Sequence, residues 1–238
     1  MLHLDLKLDL DKTRNEIERT RIRLDTLVNL EDSSSRVMEN FKNQIEQVNQ
    51  ILAELHLNKK TSPNSLLQTS YSLENIGNIL IDAAKKYQDS FSPDFLRQIR
   101  YCGVWFLGTG KQYAIHAFTK QISKPSEQYI IQFIKLVTDF VENYWETHPD
   151  KILELEETAL QISEADKSEM FGEFRKANGD FVQTTLNAAD RVRLKKLKDS
   201  SKNAKQLIDW MINSPKWQGD DLDECLEIVE NSRVQAEF

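Results

Sequence analysis

One short stretch of the chain combines residue types that bind phosphate in other proteins. Gly108, Thr109, Gly110 and Lys111 follow an apolar segment, and a glycine-rich turn with a lysine can hold a phosphate group through successive backbone N–H groups. The full P-loop pattern also needs a glycine five residues before Gly110 and a serine or threonine after the lysine. Trp105 and a glutamine occupy those two positions. The sequence therefore does not predict a nucleotide site here.

The same stretch has the pattern of a corner between two helices. Gly108 lies where a helix that ends at Leu107 would need a residue with positive φ. Thr109 is followed three residues later by Gln112, which gives the Thr-x-x-Gln spacing of a capping box. We therefore expect one helix to end at Gly108 and the next to begin at Thr109. Lys111 would lie at the start of the second helix, where an anion could bind, but we expect it to contact only water.

The histidines and cysteines do not form a metal-binding or catalytic pattern. The chain has four histidines and two cysteines, without an HExxH or CxxC motif. No Gly-x-Ser-x-Gly motif supplies a nucleophile. We expect a protein that is not an enzyme and that has no cofactor and no metal. The alternative is an enzyme whose site is assembled only in the folded chain, as a pocket that gathers Lys111, His116 and carboxylates.

The strongest local charge lies near the C-terminus of a chain whose formal net charge is −7. Between residues 191 and 205, one acid, Asp199, stands among seven basic residues, namely Arg191, Arg193, Lys195, Lys196, Lys198, Lys202 and Lys205. Such a segment can bind nucleic-acid phosphates or an acidic protein surface. The scarcity of interleaved aromatic residues, which would stack on bases, favours the protein surface. A third alternative is that the acidic stretch 220–230 of the same chain folds back onto it.

The last 25 residues or so, from about residue 214, contain a tryptophan, a turn and an acid-rich amphipathic pattern with Leu222, Leu226 and Val229. This stretch resembles the acidic C-terminal tails of small bacterial antitoxins, which wrap a toxin. The resemblance covers about a tenth of the chain and has no diagnostic motif. The rest of the chain lacks a ribbon-helix-helix pattern. The resemblance implies an alternative function, that of a nucleic-acid-associated or antitoxin-like regulatory protein of bacteria.

The composition predicts an all-α fold, a multi-helix bundle. Apolar residues make up 39% and charged residues 29% of the chain, a balance typical of long amphipathic helices. Only 7 glycines and 5 prolines are available for the turns of a β-rich fold. Neither a secretion signal nor an uninterrupted apolar span is recognisable. We therefore expect a cytoplasmic protein that does not contact a membrane.

The first 60 residues predict a coiled-coil-like helical arm. Its strongest heptad seam consists of Met38, Phe41, Ile45, Val48, Leu52 and Leu55. We expect this seam to bind a partner helix, from the same chain or from another in a homo-oligomer or a complex. Residues 10–56 form either one long helix or a hairpin bent at 31–35, and the three serines in that bend favour the hairpin. The alternating leucines of residues 1–10 follow a strand pattern, but we prefer a frayed tail.

The remainder divides into a helical core at 61–149 and a charged helical region at 150–238. In the core we expect a helix over about 63–88, a second that starts with Ser92 as N-cap, and an apolar third that ends at His148. The charged region predicts shorter helices at about 150–162, 164–177, 180–199, 201–213 and 221–233. Together these features predict an adaptor or assembly subunit that acts through helical surfaces.

Overall fold

The computed structural model describes residues 9–30, 36–54, 62–121, 125–164 and 172–213. All regular structure in these ranges is α-helical, which confirms the predicted all-α fold. The seven helices are α1 (Leu10–Leu30), α2 (Arg36–Glu54), α3 (Pro63–Lys86), α4 (Pro93–Gln121), α5 (Glu127–Tyr144), α6 (Pro149–Glu164) and α7 (Gly172–Asn213). None of these described helices is long and apolar enough to cross a membrane. The strand-like pattern at 1–10 lies almost wholly outside the described residues, and the helix predicted at 221–233 lies entirely outside them.

Serine caps define the starts of three helices. The hydroxyl of Ser62 accepts a hydrogen bond from the backbone N–H of Ser65 at 3.2 Å, at the start of α3. Ser92 does the same for α4, which confirms its prediction as an N-cap, and Ser126 does the same for α5. Each hydroxyl accepts a hydrogen bond from a backbone N–H group that has no acceptor within the helix.

By internal contacts the chain divides into two units, Met1–Val192 and Arg193–Phe238. In the first unit, one hydrophobic cluster joins residues of α1, α2, α3 and α4. A second cluster joins Ile115 of α4 to α5, α6 and the first half of α7. In the second unit, the described residues belong to the second half of α7. Helix α4 therefore contributes to both cores of the first unit.

The predicted seam lies inside the first cluster. Met38, Phe41, Ile45 and Val48 are buried, and Leu52 packs against them partly buried; Leu55 lies outside the described residues. The side chains that surround the seam come from the chain's own α1, α3 and α4. A separate N-terminal arm is therefore not confirmed.

Helices α1 and α2 fold back on each other. The side-chain amide of Asn49 donates a hydrogen bond to Asp25, 3.1 Å away. One straight helix would separate these two residues by about 36 Å. The contact therefore favours the hairpin over the single long helix, with the bend at 31–35 outside the described residues.

The predicted corner at Gly108 is wrong, because α4 runs through it without a break. Only Gly172 has a positive φ among the described residues. The glycines of α4 serve close packing instead. A Cβ at Gly103 would lie 2.9 Å from the carbonyl oxygen of Gly77 on α3, and one at Gly110 would lie 3.0 Å from that of Ser70. These positions need glycine because the backbones of α3 and α4 approach each other closely.

The breaks between the helices predicted at 164–177, 180–199 and 201–213 are also wrong, since α7 is one helix of 42 residues. Buried side chains, among them Ala177 and Phe181, hold its first half in the second cluster, so Gly179 costs the helix only about 1 kcal/mol. Farther along, the serines and asparagine at 199–203 weaken helix propensity by only a few tenths of a kcal/mol each. Of the helix predicted at 164–177, residues 172–177 belong to α7, and residues 165–171 lie outside the described residues.

Candidate functional site

The motif around Gly108 builds a buried histidine site instead of a phosphate site. A Cβ at Gly108 would lie 2.6 Å from Nδ1 of His148, so only glycine leaves room for the imidazole against α4. The Thr109 hydroxyl lies 3.1 Å from Nε2 of His148. On the other side of the ring, the Thr147 hydroxyl lies 2.9 Å from Nδ1. The ring of Trp105 stacks on the imidazole with a centroid separation of 5.9 Å.

This environment favours the neutral imidazole. His148 is 8% exposed, and its burial lowers its pKa to about 4. The nearby cation of Lys151 lowers the pKa further, and the backbone carbonyl of Tyr144 opposes the shift. Two proton arrangements of the neutral ring fit these contacts. Either Nε2–H donates to Thr109, whose hydroxyl donates to the Trp105 carbonyl, or Nδ1–H donates to Thr147, whose hydroxyl donates to the Tyr144 carbonyl. A pKa near 4 does not suit proton transfer at neutral pH, so the ring is suited to fixing structure.

Two adjoining cavities lie beside this histidine, with volumes of about 310 Å³ and about 200 Å³. The start of α1, one face of α4 and the start of α6 line the larger one, which His148 borders. The smaller one extends farther along α1, to Arg23. Glu16, Tyr101 and Trp105 line both cavities. Sequence reasoning missed this site, because its walls come from segments that are far apart along the chain.

Lys111 forms an ion pair, contrary to the expectation that it would contact only water. Its ammonium nitrogen lies 3.1 Å from Oε2 of Glu74 on α3, and the Ser70 hydroxyl donates to the other carboxylate oxygen at 3.0 Å. The anion at Lys111 is thus a side chain of the same protein. Neither Lys111 nor His116 lines either cavity, so the cluster that the enzyme alternative required is not found in them.

The basic segment lies on the continuous helix α7. The side chains of Arg191, Arg193, Lys195, Lys196, Lys198 and Lys205 are exposed, whereas Lys202 belongs to the helix but its side chain is not described. Two large apolar residues within the segment are exposed too: Leu194 by 57% and Leu197 by 66%. Sequence reasoning named the cations but missed these leucines, although their spacing of three places them on one side of a helix.

No group of three or more metal-ligating side chains is found among the described residues. Cys102 is a free thiol buried in the first cluster, and burial raises its pKa to about 11. Such a thiol is inert at neutral pH, because the nucleophile is the thiolate. Comparison of the chain with models of known protein families, with curated proteins and with solved structures finds no match.

Proposed function

We propose that this protein is a non-enzymatic adaptor or assembly subunit that docks an acidic, amphipathic protein segment on α7. The docking surface, termed here the basic face, consists of Leu194 and Leu197 together with the cations on the same side of the helix, Arg193 and Lys198. The observation that carries the proposal is the exposure of both leucines among four cations on one helix. As part of the same proposal the protein acts in the cytoplasm, where the free thiol of Cys102 stays reduced.

The two leucines supply the affinity of the basic face. A single exposed leucine is common on protein surfaces, but Leu194 and Leu197 are neighbours one turn apart on α7. Burial of a leucine side chain contributes about 1.5–3 kcal/mol. A partner helix with apolar residues at matching spacing would remove both from water, as in other helix-to-helix recognition.

The cations determine the kind of partner. Arg193 lies four residues before Leu197 and Lys198 four residues after Leu194, so both cations are on the side of the leucines. Both are exposed, so an acidic segment would be attracted and a basic one repelled. Nucleic acid would use the cations but would leave the leucines in water. The stretch 191–205 also contains no aromatic residue on which bases could stack. The combination of leucines and cations therefore favours a protein partner.

Co-purification with variants of the basic face tests the proposal. The full chain is purified from its own cells as wild type, as Leu194→Ser with Leu197→Ser, and as the control Leu160→Ser, which alters an exposed leucine of α6. We expect an acidic protein to co-purify with the wild type and the control, with the mass of a defined complex. The double variant should lose at least 90% of it, because one leucine pair provides most of the contact.

Oligonucleotide binding tests the alternative that the basic segment contacts nucleic acid. Fluorescence anisotropy measures binding of a labelled DNA duplex and a labelled RNA strand from 50 to 300 mM salt. The proposal requires that neither binds more tightly to the wild type than to a variant with Lys195→Gln and Lys196→Gln. Tight, strongly salt-dependent binding of an oligonucleotide that is unaffected by the leucine substitutions would indicate nucleic-acid association instead of protein docking. In the co-purification experiment, an unchanged set of partners in the double leucine variant would also refute docking.

A further inference from the structure

We infer that residues 220–230 of the same chain, termed here the acidic segment, occupy the basic face when no external partner is bound. The segment lies outside the described residues, and it belongs with the basic face to the unit Arg193–Phe238. It would compete with the external partner for the two leucines of α7, so the inference rests on the proposed docking function. Charge, apolar spacing and the length of the connecting chain favour this occupant.

The acidic segment and the basic part of α7 have opposite charge. The segment contains six acidic residues and no basic one, whereas residues 191–205 contain seven basic residues and one acidic one. On a helix, Asp223 and Glu230 would flank Leu226, because they lie three residues before it and four after it. Complementary charges of this kind attract two surfaces and fix which sides meet. The segment therefore has the charge that the basic face requires of a partner.

The apolar residues of both stretches recur at helical spacing. Ala204 lies two turns after Leu197 and is exposed, so it continues the side of α7 on which the leucines lie. In the acidic segment, Leu222 and Leu226 are four residues apart, and the helix predicted at 221–233 would place them on one side. Packing of this helix on the basic face would remove the leucines of both stretches from water.

The connecting chain is long enough for this contact within one molecule. Leu197 lies 16 residues before Asn213, the last residue of α7, which corresponds to about 24 Å along the helix axis. Packed helices lie about 8–10 Å apart. Residues 214–222 span up to about 30 Å when extended, so Leu222 can reach Leu197. In an antiparallel helix, the next leucine of the segment would lie about 6 Å farther along, near Leu194.

The covalent connection gives the acidic segment an advantage over a separate molecule. A flexible connection of this kind produces an effective concentration on the order of 1 mM. An external acidic helix at lower concentration must therefore bind the basic face more tightly than the segment does. The segment thus sets the affinity that a partner needs for docking.

Paramagnetic relaxation, measured by NMR on the full chain, tests the inference. A nitroxide is attached at Asn231→Cys in a chain that also carries Cys225→Ser, and Cys102 stays unlabelled because it is buried. The reference is the same sample after reduction of the nitroxide. We expect the backbone amide signals of residues 193–198 to lose more than half of their intensity, because the contact brings the nitroxide close to them.

Variants show which side chains hold the segment in place. Leu222→Ser with Leu226→Ser, and separately Leu194→Ser with Leu197→Ser, should each restore most of the lost intensity. The matched control is Ile228→Ser, which makes the same kind of change two residues from Leu226 and thus on a different side of a helix. The control should show the same loss of intensity as the parent chain. An unchanged thermal midpoint verifies that each variant is folded.

A mixed sample distinguishes one chain from two. Here the isotope-labelled chain carries no nitroxide, and a second, unlabelled chain carries it. We expect no loss of intensity in this sample. A loss would show that a second copy supplies the segment and would overturn the inference. It is also overturned if residues 193–198 keep their intensity in the singly labelled chain, or if the loss persists in the Leu222 and Leu226 variant.

Co-purification separates this inference from the proposed function. If the segment competes with the partner, Leu222→Ser with Leu226→Ser should increase the amount of acidic partner recovered at least twofold. Recovery of a partner that depends on Leu194 and Leu197, without any nitroxide effect, would support docking and overturn the inference. A nitroxide effect that the leucine substitutions abolish, without any recovered partner, would support the contact within the chain and count against docking.

Discussion

The hydroxyl of Thr109 lies 3.1 Å from Nε2 of His148, although 39 residues separate them along the chain. Gly108 makes the contact possible, since any Cβ there would occupy the position of the imidazole. The ring also contacts the aromatic rings of Trp105 and Phe140, with centroid separations of 5.9 Å and 5.6 Å. A stretch that resembles a phosphate loop in sequence is thus the contact through which α4 holds the start of α6.

Acid should weaken the fold through His148. Its folded pKa of about 4 lies below the ordinary value of 6.5, so the unfolded chain binds the extra proton between these values. The contribution of the neutral His148 ring to the free energy of unfolding is complete above about pH 6.5. It is lost as the pH falls to about 4 and changes no further below that pH. A shift of this size corresponds to about 3 kcal/mol. Urea unfolding of the wild type and of His148→Gln from pH 7 to pH 4 should show a smaller loss in the variant.

The matched control for this pH series is His116→Gln, which removes a histidine that is only partly buried and that borders neither cavity. Its pH series measures how much of the acid sensitivity another histidine contributes, and the effect of His148→Gln is compared with it. Equal losses of unfolding free energy in the wild type and in His148→Gln would show that burial does not hold the His148 ring in its neutral form.

Two glycine-to-alanine substitutions should have opposite effects. Gly108→Ala places a methyl group against the His148 ring, which is held by two threonines and cannot withdraw freely. We expect a loss of about 1–3 kcal/mol in unfolding free energy. Gly179→Ala meets nothing within 4 Å in α7 and should stabilise the protein by about 1 kcal/mol, since alanine is the better helix former. Chemical denaturation measures both, and a neutral Gly108→Ala would contradict the close packing.

The ion pair between Lys111 and Glu74 should give a small, salt-sensitive coupling. The Lys111 side chain is 33% exposed and that of Glu74 is 23% exposed, so solvent screens the pair only in part. A double-mutant cycle with Lys111→Met and Glu74→Gln should yield about 1 kcal/mol at low salt and less at 1 M salt. If the effects of the two substitutions were additive at low salt, Lys111 would not be coupled to Glu74, and the expectation that it contacts only water would be correct.

Local signals in the sequence predicted the helices that local interactions define. The serine cap predicted at Ser92 acts on a backbone donor three residues away, so the information lies within one turn. The apolar spacing of α2 likewise predicted which of its side chains become buried. These features need no knowledge of the rest of the fold.

The failures have a common physical cause, which is that the deciding contact comes from a residue distant in the sequence. A glycine, for example, can end a helix or allow another group to approach the backbone closely. At Gly108 the group is His148, which is distant in sequence, so no local pattern distinguishes the two roles. The same applies to Lys111, whose carboxylate partner belongs to α3. The cavity beside His148 is a third example, since α1, α4 and α6 each supply part of its wall.

Substitutions in the α2 seam distinguish a core role from a binding role. Phe41 is fully buried, and its ring contacts Phe91 and Phe95 with centroid separations of 5.2 Å and 5.4 Å. Phe41→Ala should therefore cost about 3–5 kcal/mol of unfolding free energy. Glu46→Ala, at an exposed position of the same helix, should change it by less than about 0.5 kcal/mol. Urea denaturation measures both.

Protein concentration provides the decisive control for the seam. Because the neighbours of Phe41 belong to the same chain, the unfolding midpoint of the wild type should be the same at 1 and 100 μM, and the Phe41→Ala loss should be equal at both. An intermolecular seam would instead give a midpoint that rises with concentration, by mass action. Such a rise, with a sedimenting mass that falls in Phe41→Ala, would show that the seam joins two chains.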